Sequence, residues 1–234
     1  MSEYQAVLFD MDGVTVATAN AWRELEAEEI LPAAGEGIDI ETIRALSPED
    51  SYERLESMDE VTLRVDRDEF VGLYDEYAEE VYLERATLLD GYEPLLADLR
   101  DEELALGLVS ASCRDWVALV LERFDLGDAY DVVVSSTDID GPSKPNPTPY
   151  LVAAEQIGVD PEQCIVVEDS AHGIAAATAA GAYCIALRGA GNQETDLSSA
   201  DAIVTDPTEL RTHLFDLLPS EDTQQCGSLP PDER

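Results

Sequence analysis

Six short apolar runs punctuate the chain: Tyr4–Phe9, Leu104–Val109, Asp131–Val134, Cys164–Val167, Tyr183–Leu187 and Ala202–Val204. Each is too short for a helix and is followed at once by a polar residue. Unbroken apolar runs of this length read as strands buried on both faces. Segments of helical period lie between them, at Arg114–Phe124, Pro147–Ile157, Ile174–Ala180 and Pro207–Leu218. The alternation predicts an α/β fold, a three-layer Rossmann-like parallel sheet core with helices on both faces. In such sheets the ligand site lies at the carboxyl ends of the strands.

One region interrupts the alternation. From about Thr18 to Arg85 the pattern is helical and shows no convincing strand. Trp22–Leu25 starts one helix and Ile40–Leu46 forms another. Ser47-Pro48-Glu49-Asp50 reads as a helix start, with Ser47 as N-cap and Pro48 at the first position. Asp66–Arg85 reads as a longer amphipathic helix. The expected organisation is therefore a core of residues 1–16 and 88–218, an inserted α-helical cap of residues 17–87, and a polar, disordered tail of residues 219–234.

Charge narrows the partners. With 52 acidic against 13 basic residues, the net charge is −39 and the pI near 4.1. Such a field repels nucleic acid and anionic membrane surfaces. No apolar run is long enough to span a bilayer, and the N-terminus has no basic n-region. The four cysteines are scattered without a CxxC pair and read as reduced thiols, with Cys164 and Cys184 in core strands. Cytoplasmic location, as a monomer or homodimer, is the expectation. The acid excess and scarcity of lysine resemble cytoplasmic proteins of salt-in halophiles, in which carboxylates keep the surface solvated. At about 1 M salt the Debye length falls to about 3 Å, so self-repulsion is screened. Stability is therefore expected to rise from dilute buffer to about 2 M KCl, as measured by thermal unfolding. Equal stability in the two would contradict it.

Candidate chemistry sits at the strand ends. The first strand runs into Asp10-Met11-Asp12-Gly13-Val14. Two carboxylates two positions apart can converge on one cation, and the glycine permits a tight turn. In a chain this acidic the pair alone means little, but its place after a strand raises its value. An EF-hand is excluded, because Val14 and Val16 replace oxygen ligands and no Glu stands at the twelfth position. The second strand runs into Ser110-Ala111-Ser112, where a hydroxyl and free N–H groups suit a phosphate oxygen. After the third comes Lys144, the one lysine of the chain, where roughly a dozen would be usual. A lone ammonium in a cleft could neutralise a phosphoryl group. The fourth runs into Glu168-Asp169-Ser170, and adjacent acids there could hold Mg²⁺.

The ordered set Asp10-x-Asp12-Gly13-Val14, Ser110, Lys144-Pro145 and Glu168-Asp169-Ser170-x-x-Gly173-Ile174 resembles the haloacid dehalogenase-like (HAD) hydrolase superfamily. The nearest branch is the phosphoglycolate phosphatase and β-phosphoglucomutase-like group with a helical cap. The resemblance covers nearly all of Tyr4 to Leu218. It implies Asp10 as nucleophile, Asp12 as general acid and then base, and Ser110, Ala111 and Lys144 as phosphoryl-binding groups. It also implies Mg²⁺ held by Asp10, the Asp12 backbone carbonyl and Asp169, with Glu168 in an outer position. The implied activity is hydrolysis of a small phosphorylated metabolite, a sugar phosphate or phosphoglycolate. The alternative is a sugar phosphomutase. Against it, the cap-side histidine of those enzymes is absent, Trp22 standing nearby. Asp12 argues against dehalogenases, and the lack of a second lysine against Schiff-base relatives. A phospho-receiver module, which lacks such an insert and carries its aspartate on the third strand, is a remote alternative. His172 reads as solvent-facing in a first helical turn, and Arg44, Arg54 and Arg64 as surface partners of nearby acids.

Overall fold

The computed structural model describes residues 4–43 and 46–219. The six apolar runs form one parallel sheet: β1 (Ala6–Phe9), β2 (Ala105–Val109), β3 (Val132–Val134), β4 (Cys164–Glu168), β5 (Tyr183–Leu187) and β6 (Ala202–Val204). Their spatial order is β6-β5-β4-β1-β2-β3, with β1 between β2 and β4. The register sets Phe9 beside Leu108 and Val167. The residues that follow these three strands therefore emerge together at one edge.

Alternation along the strands sorts the core into two layers. Val7, Phe9, Leu106, Leu108, Ile165 and Val167 pack with helices Tyr92–Asp101, Arg114–Arg123 and Pro207–Asp216. Ala6, Leu8, Val109, Val132, Val166 and Cys184 pack with helices Thr148–Ile157 and Ala171–Ala180. Successive side chains of a strand point to opposite faces, so an unbroken apolar run needs cover on both. The three-layer expectation holds, and Cys164 and Cys184 are buried in their strands. Helix Tyr92–Asp101 was not anticipated, although Tyr92, Leu95, Leu96 and Leu99 fall at helical spacing and are buried.

The insert departs from the pattern reading in two places. It is not free of strand: Gly35–Glu36 pairs antiparallel with Thr62–Leu63. Two-residue ladders leave too little periodicity to read. Of the expected helix Ile40–Leu46, the described residues hold a single turn, Ile40–Thr42, with the Asp39 carboxylate accepting from Glu41 N. Arg44, expected at the surface, lies outside the described residues, as does the tail beyond Pro219 and Cys226 within it. The other elements form where local chemistry favours them. Ser47 Oγ accepts from Asp50 N at the start of helix Pro48–Glu56. Asp66 and Glu69 form a reciprocal capping box for helix Arg67–Glu79. That helix continues through a π-turn, Glu80–Arg85. Helix Ala19–Leu25 likewise runs through Glu26–Ile30 into Leu31–Ala34. Where the insert meets the sheet, Val16–Ala17 pairs with Thr87–Leu88.

The insert is seated on the sheet domain. Leu25, Leu55, Phe70 and Tyr82 belong to the same apolar cluster as Phe9 and Val117. Trp116 Nε1 donates to Asp75 at 2.9 Å, and Arg123 donates to the Tyr82 carbonyl at 2.7 Å. Among the described residues no helix is long and apolar enough to cross a membrane.

Candidate active site

The strand ends converge on Lys144. Its Nζ donates to Asp10 Oδ1 at 2.6 Å, to Glu168 Oε1 at 2.7 Å and to the Val109 carbonyl at 2.9 Å. It also lies 5.0 Å from the centre of the Tyr150 ring. Lys144 is 8% exposed and Asp10 7%, while Glu168 is fully buried. Burial disfavours the ammonium, but Asp10 and Glu168 outweigh it and hold Lys144 above its ordinary pKa. A protonated amine fixed this way is unsuited to Schiff-base chemistry, which needs the neutral form.

Glu168 is saturated. Oε1 accepts from Lys144 and from the Tyr150 hydroxyl at 2.6 Å. Oε2 accepts from Asp169 N, Ser170 N and Ser170 Oγ. Burial would raise its pKa, but Lys144 and these donors bring it below the usual carboxylate value. A carboxylate so engaged positions Lys144 and has little left for a metal.

Glycine makes room for the acids. A Cβ at Gly13, where φ is +97°, would lie 2.1 Å from Asp169 Oδ2. One at Gly173 would lie 1.8 Å from Glu168 Oε1. Gly173 is helical, so alanine would gain up to about 1 kcal/mol of propensity. The clash with an immobilised carboxylate outweighs that gain. Gly173→Ala is expected to lower stability by about 2 kcal/mol net, within the range of overpacking, as read from a denaturant midpoint. A stabilised variant would show that Glu168 is not held as described.

Asp12 occupies a separate set of donors. Thr18 Oγ1 reaches Oδ1 at 2.7 Å and Ser112 Oγ reaches Oδ2 at 2.9 Å. The Tyr82 hydroxyl lies 3.1 and 3.3 Å from the two oxygens. Burial raises the Asp12 pKa, with the Thr18, Ser112 and Tyr82 bonds opposing. Burial also pushes Asp10 up to about 8, against the charge of Lys144. Ser110 is buried beside them, and its Oγ accepts from Ser112 N at 3.0 Å, leaving its own proton to donate.

Carboxylate oxygens of Asp10, Glu168 and Asp169 lie within 4.8 Å of one another. Burial, then Asp10, Glu168 and Asp12, push Asp169 well above the usual carboxylate range, with Lys144 opposing. An excess of hard oxygen donors over positive charge is what a divalent cation such as Mg²⁺ fits.

All the sequence-derived site residues, Asp10, Asp12, Ser110, Ala111, Lys144, Glu168 and Asp169, lie together here, and all but the engaged Glu168 line one cavity. The same cavity is lined by His172, which is half-buried, so its solvent-facing reading is corrected. Arg54 is exposed and Arg64 pairs with Glu36 at the surface, as expected. Sequence reasoning missed Thr18, Tyr82, Arg23 and Glu26. Tyr82 is 70 positions from Asp12 and reads as ordinary core, so no local signal marked it.

A parallel sheet with an acid-rich centre at its carboxyl edge, beneath an inserted helical layer, defines an α/β enzyme. The chain belongs to the haloacid dehalogenase-like hydrolases, whose family profile matches residues 4–181. Hexitol phosphatase B of Escherichia coli (strain K12) is 32% identical over 193 residues, covering 75% of this chain and 79% of that one. Validoxylamine A 7'-phosphate phosphatase of Streptomyces hygroscopicus subsp. limoneus is 29% identical, covering 89% and 96%. Among solved structures, CbbY from Rhodobacter sphaeroides in complex with phosphate superposes with a TM-score of 0.71 at 23% identity, covering 88% and 96%. That likeness speaks to the fold.

Proposed function

We propose that the protein is a Mg²⁺-dependent phosphatase acting on a small phosphorylated metabolite through an aspartyl-phosphate on Asp10. The observation that carries the reading is the pairing of a buried Asp10 with Lys144 while Asp12 is held apart by hydroxyls. Two neighbouring carboxylates in different surroundings can take different roles. Asp10 attacks phosphorus and the ester oxygen leaves. Asp12, its pKa raised by burial, gives that oxygen a proton and later takes one from water. Ser110, Ala111 and Lys144 hold the phosphoryl oxygens. Asp10, the Asp12 carbonyl and Asp169 would hold Mg²⁺, with Glu168 in an outer position, and the ion would offset charge on the phosphoryl group.

The division into a core of residues 1–16 and 88–218 and a cap of residues 17–87 belongs to this proposal. Tyr82, from the cap, contacts Asp12 directly, so cap closure would complete the acid's surroundings and exclude water. No histidine occurs before His172 in the sequence, so the cap supplies no imidazole, which favours hydrolysis over phosphoryl return to a sugar. With p-nitrophenyl phosphate, EDTA is expected to reduce turnover to background and added Mg²⁺ to restore it. Undiminished activity in EDTA would count against the metal.

A further inference from the structure

Asp169 is held through its backbone, and the residue that holds it also stands where the insert docks. We propose that Asn192 is a positioning residue that couples seating of the insert to the carboxylate of Asp169. This inference rests on the metal role given to Asp169 above.

Asn192 is 5% exposed. Its Nδ2 donates to the Asp169 carbonyl at 2.7 Å and to the Leu187 carbonyl at 2.9 Å. Oδ1 accepts from Gly189 N at 2.8 Å. A primary amide brings two donors and an acceptor on one short stem. Here all are used to tie the end of β5 to the residue that follows β4. On its other side, Asp169 N donates to Glu168 Oε2 at 3.0 Å. Both peptide groups of Asp169 are therefore fixed, and its carboxylate turns only about its own side-chain bonds. A ligand supported in this way gives up less freedom when it takes a cation.

The peptide beside that amide meets the insert. The Gly191 carbonyl, in the bond joining Gly191 to Asn192, accepts from Arg23 Nη2 at 3.2 Å. Arg23 belongs to helix Ala19–Leu25, the first helix of the insert. The approach is close, since a Cβ at Gly191 would lie 2.6 Å from Ala19 Cβ. Arg188 Nη1 closes the loop by donating to the carbonyls of Asn192, Gln193 and Thr195 at 3.0, 2.9 and 3.2 Å. A loop tied at this many points moves as a unit, so a shift of the insert reaches Asp169 through Gly191 and Asn192. Coupling of this kind is reciprocal: a cation that prefers the held Asp169 also favours the seated insert.

The test reads seating and binding separately. The chain has two tryptophans, Trp22 on the insert and Trp116 on the sheet domain, stacked at 5.3 Å. Their fluorescence reports seating. Calorimetric titration with Mg²⁺ alone, in about 2 M KCl to screen the surface acids, reports binding, counted as the heat that Asp169→Asn loses. Gly191→Ala sets a methyl against Ala19 and is expected to change the fluorescence and to weaken Mg²⁺ about fivefold. Asn192→Ala is expected to weaken Mg²⁺ at least as much. In the double variant the two losses should not combine, because the link through which Gly191 acts is already cut. Losses that multiply overturn the inference and leave the phosphatase reading intact. So does a Gly191→Ala variant with unchanged Mg²⁺ affinity or unchanged fluorescence, and that variant decides alone if Asn192→Ala does not fold. Absence of a Mg²⁺ heat in the wild type overturns the metal role, and the inference with it.

Discussion

Asp10→Asn is expected to lower kcat on p-nitrophenyl phosphate by on the order of 10⁴ or more, the scale for removing a covalent nucleophile. The amide keeps the shape of the carboxylate but does not attack phosphorus. The fold should survive, and the direction of the Asp10 pKa says why. Burial makes the charged form costly in the metal-free protein, raising the group to about 8 despite Lys144. A raised folded pKa contributes stability below the unfolded value that is lost as pH rises through the folded value. At neutral pH and above, a neutral side chain avoids that loss. The metal-free variant is therefore expected to unfold at the wild-type temperature or higher. Loss of activity together with collapse of the midpoint would assign Asp10 a structural role instead.

Lys144→Ala should be nearly as damaging to turnover, but for a different reason and with a different signature. The structure gives this lysine a part in stability as well. Lys144 is the cation between two buried acids, 2.6 Å from Asp10 and 2.7 Å from Glu168. Removing one partner of a buried ion pair leaves uncompensated charge and costs about 3–5 kcal/mol. The variant should lose both activity and several kcal/mol of metal-free stability at neutral pH. Because Lys144 holds Glu168 below its usual pKa, the wild type draws stability from that pair above the unfolded carboxylate value and loses it as pH falls. The gap between wild type and variant should narrow below about pH 4.3. Lys144→Arg should rescue activity poorly. The planar fork is larger than the ammonium, and the site is closed by the Val109 carbonyl and the Tyr150 ring. Full activity in either variant would remove Lys144 from the phosphoryl site.

The two variants show what the sequence carried and what it could not. Asp10, Asp12, Ser110, Lys144 and Asp169 were legible because strand ends in a parallel sheet meet at one edge, and each of these follows an apolar run. Their order along the chain is thus nearly a map of the site. The cap contributions were not legible in the same way. Tyr82 and Trp22 belong to amphipathic helices in which an aromatic residue ordinarily signals core, and both are also partly core. Only the seating of the insert over the sheet turns the Tyr82 hydroxyl toward Asp12. The same holds for Glu26, one acid among many until Tyr74 and burial single it out. The two-residue ladder at Gly35–Glu36 escaped because an element of that length carries no period. In the resemblance Glu168 lies in an outer position, off the direct ligand set. Its physical role, orienting Lys144 while Gly173 makes space, required the geometry.

The central claim is that Asp10 carries the phosphoryl group. Protein mixed with a large excess of substrate and Mg²⁺, quenched in acid, reduced with borohydride and digested for peptide mass analysis tests it most directly. An aspartyl-phosphate at Asp10 is reduced to homoserine, so the account predicts that mass change at position 10 and its absence in Asp10→Asn. Steady release of phosphate with no modification at position 10, or with the label on another residue, would contradict it.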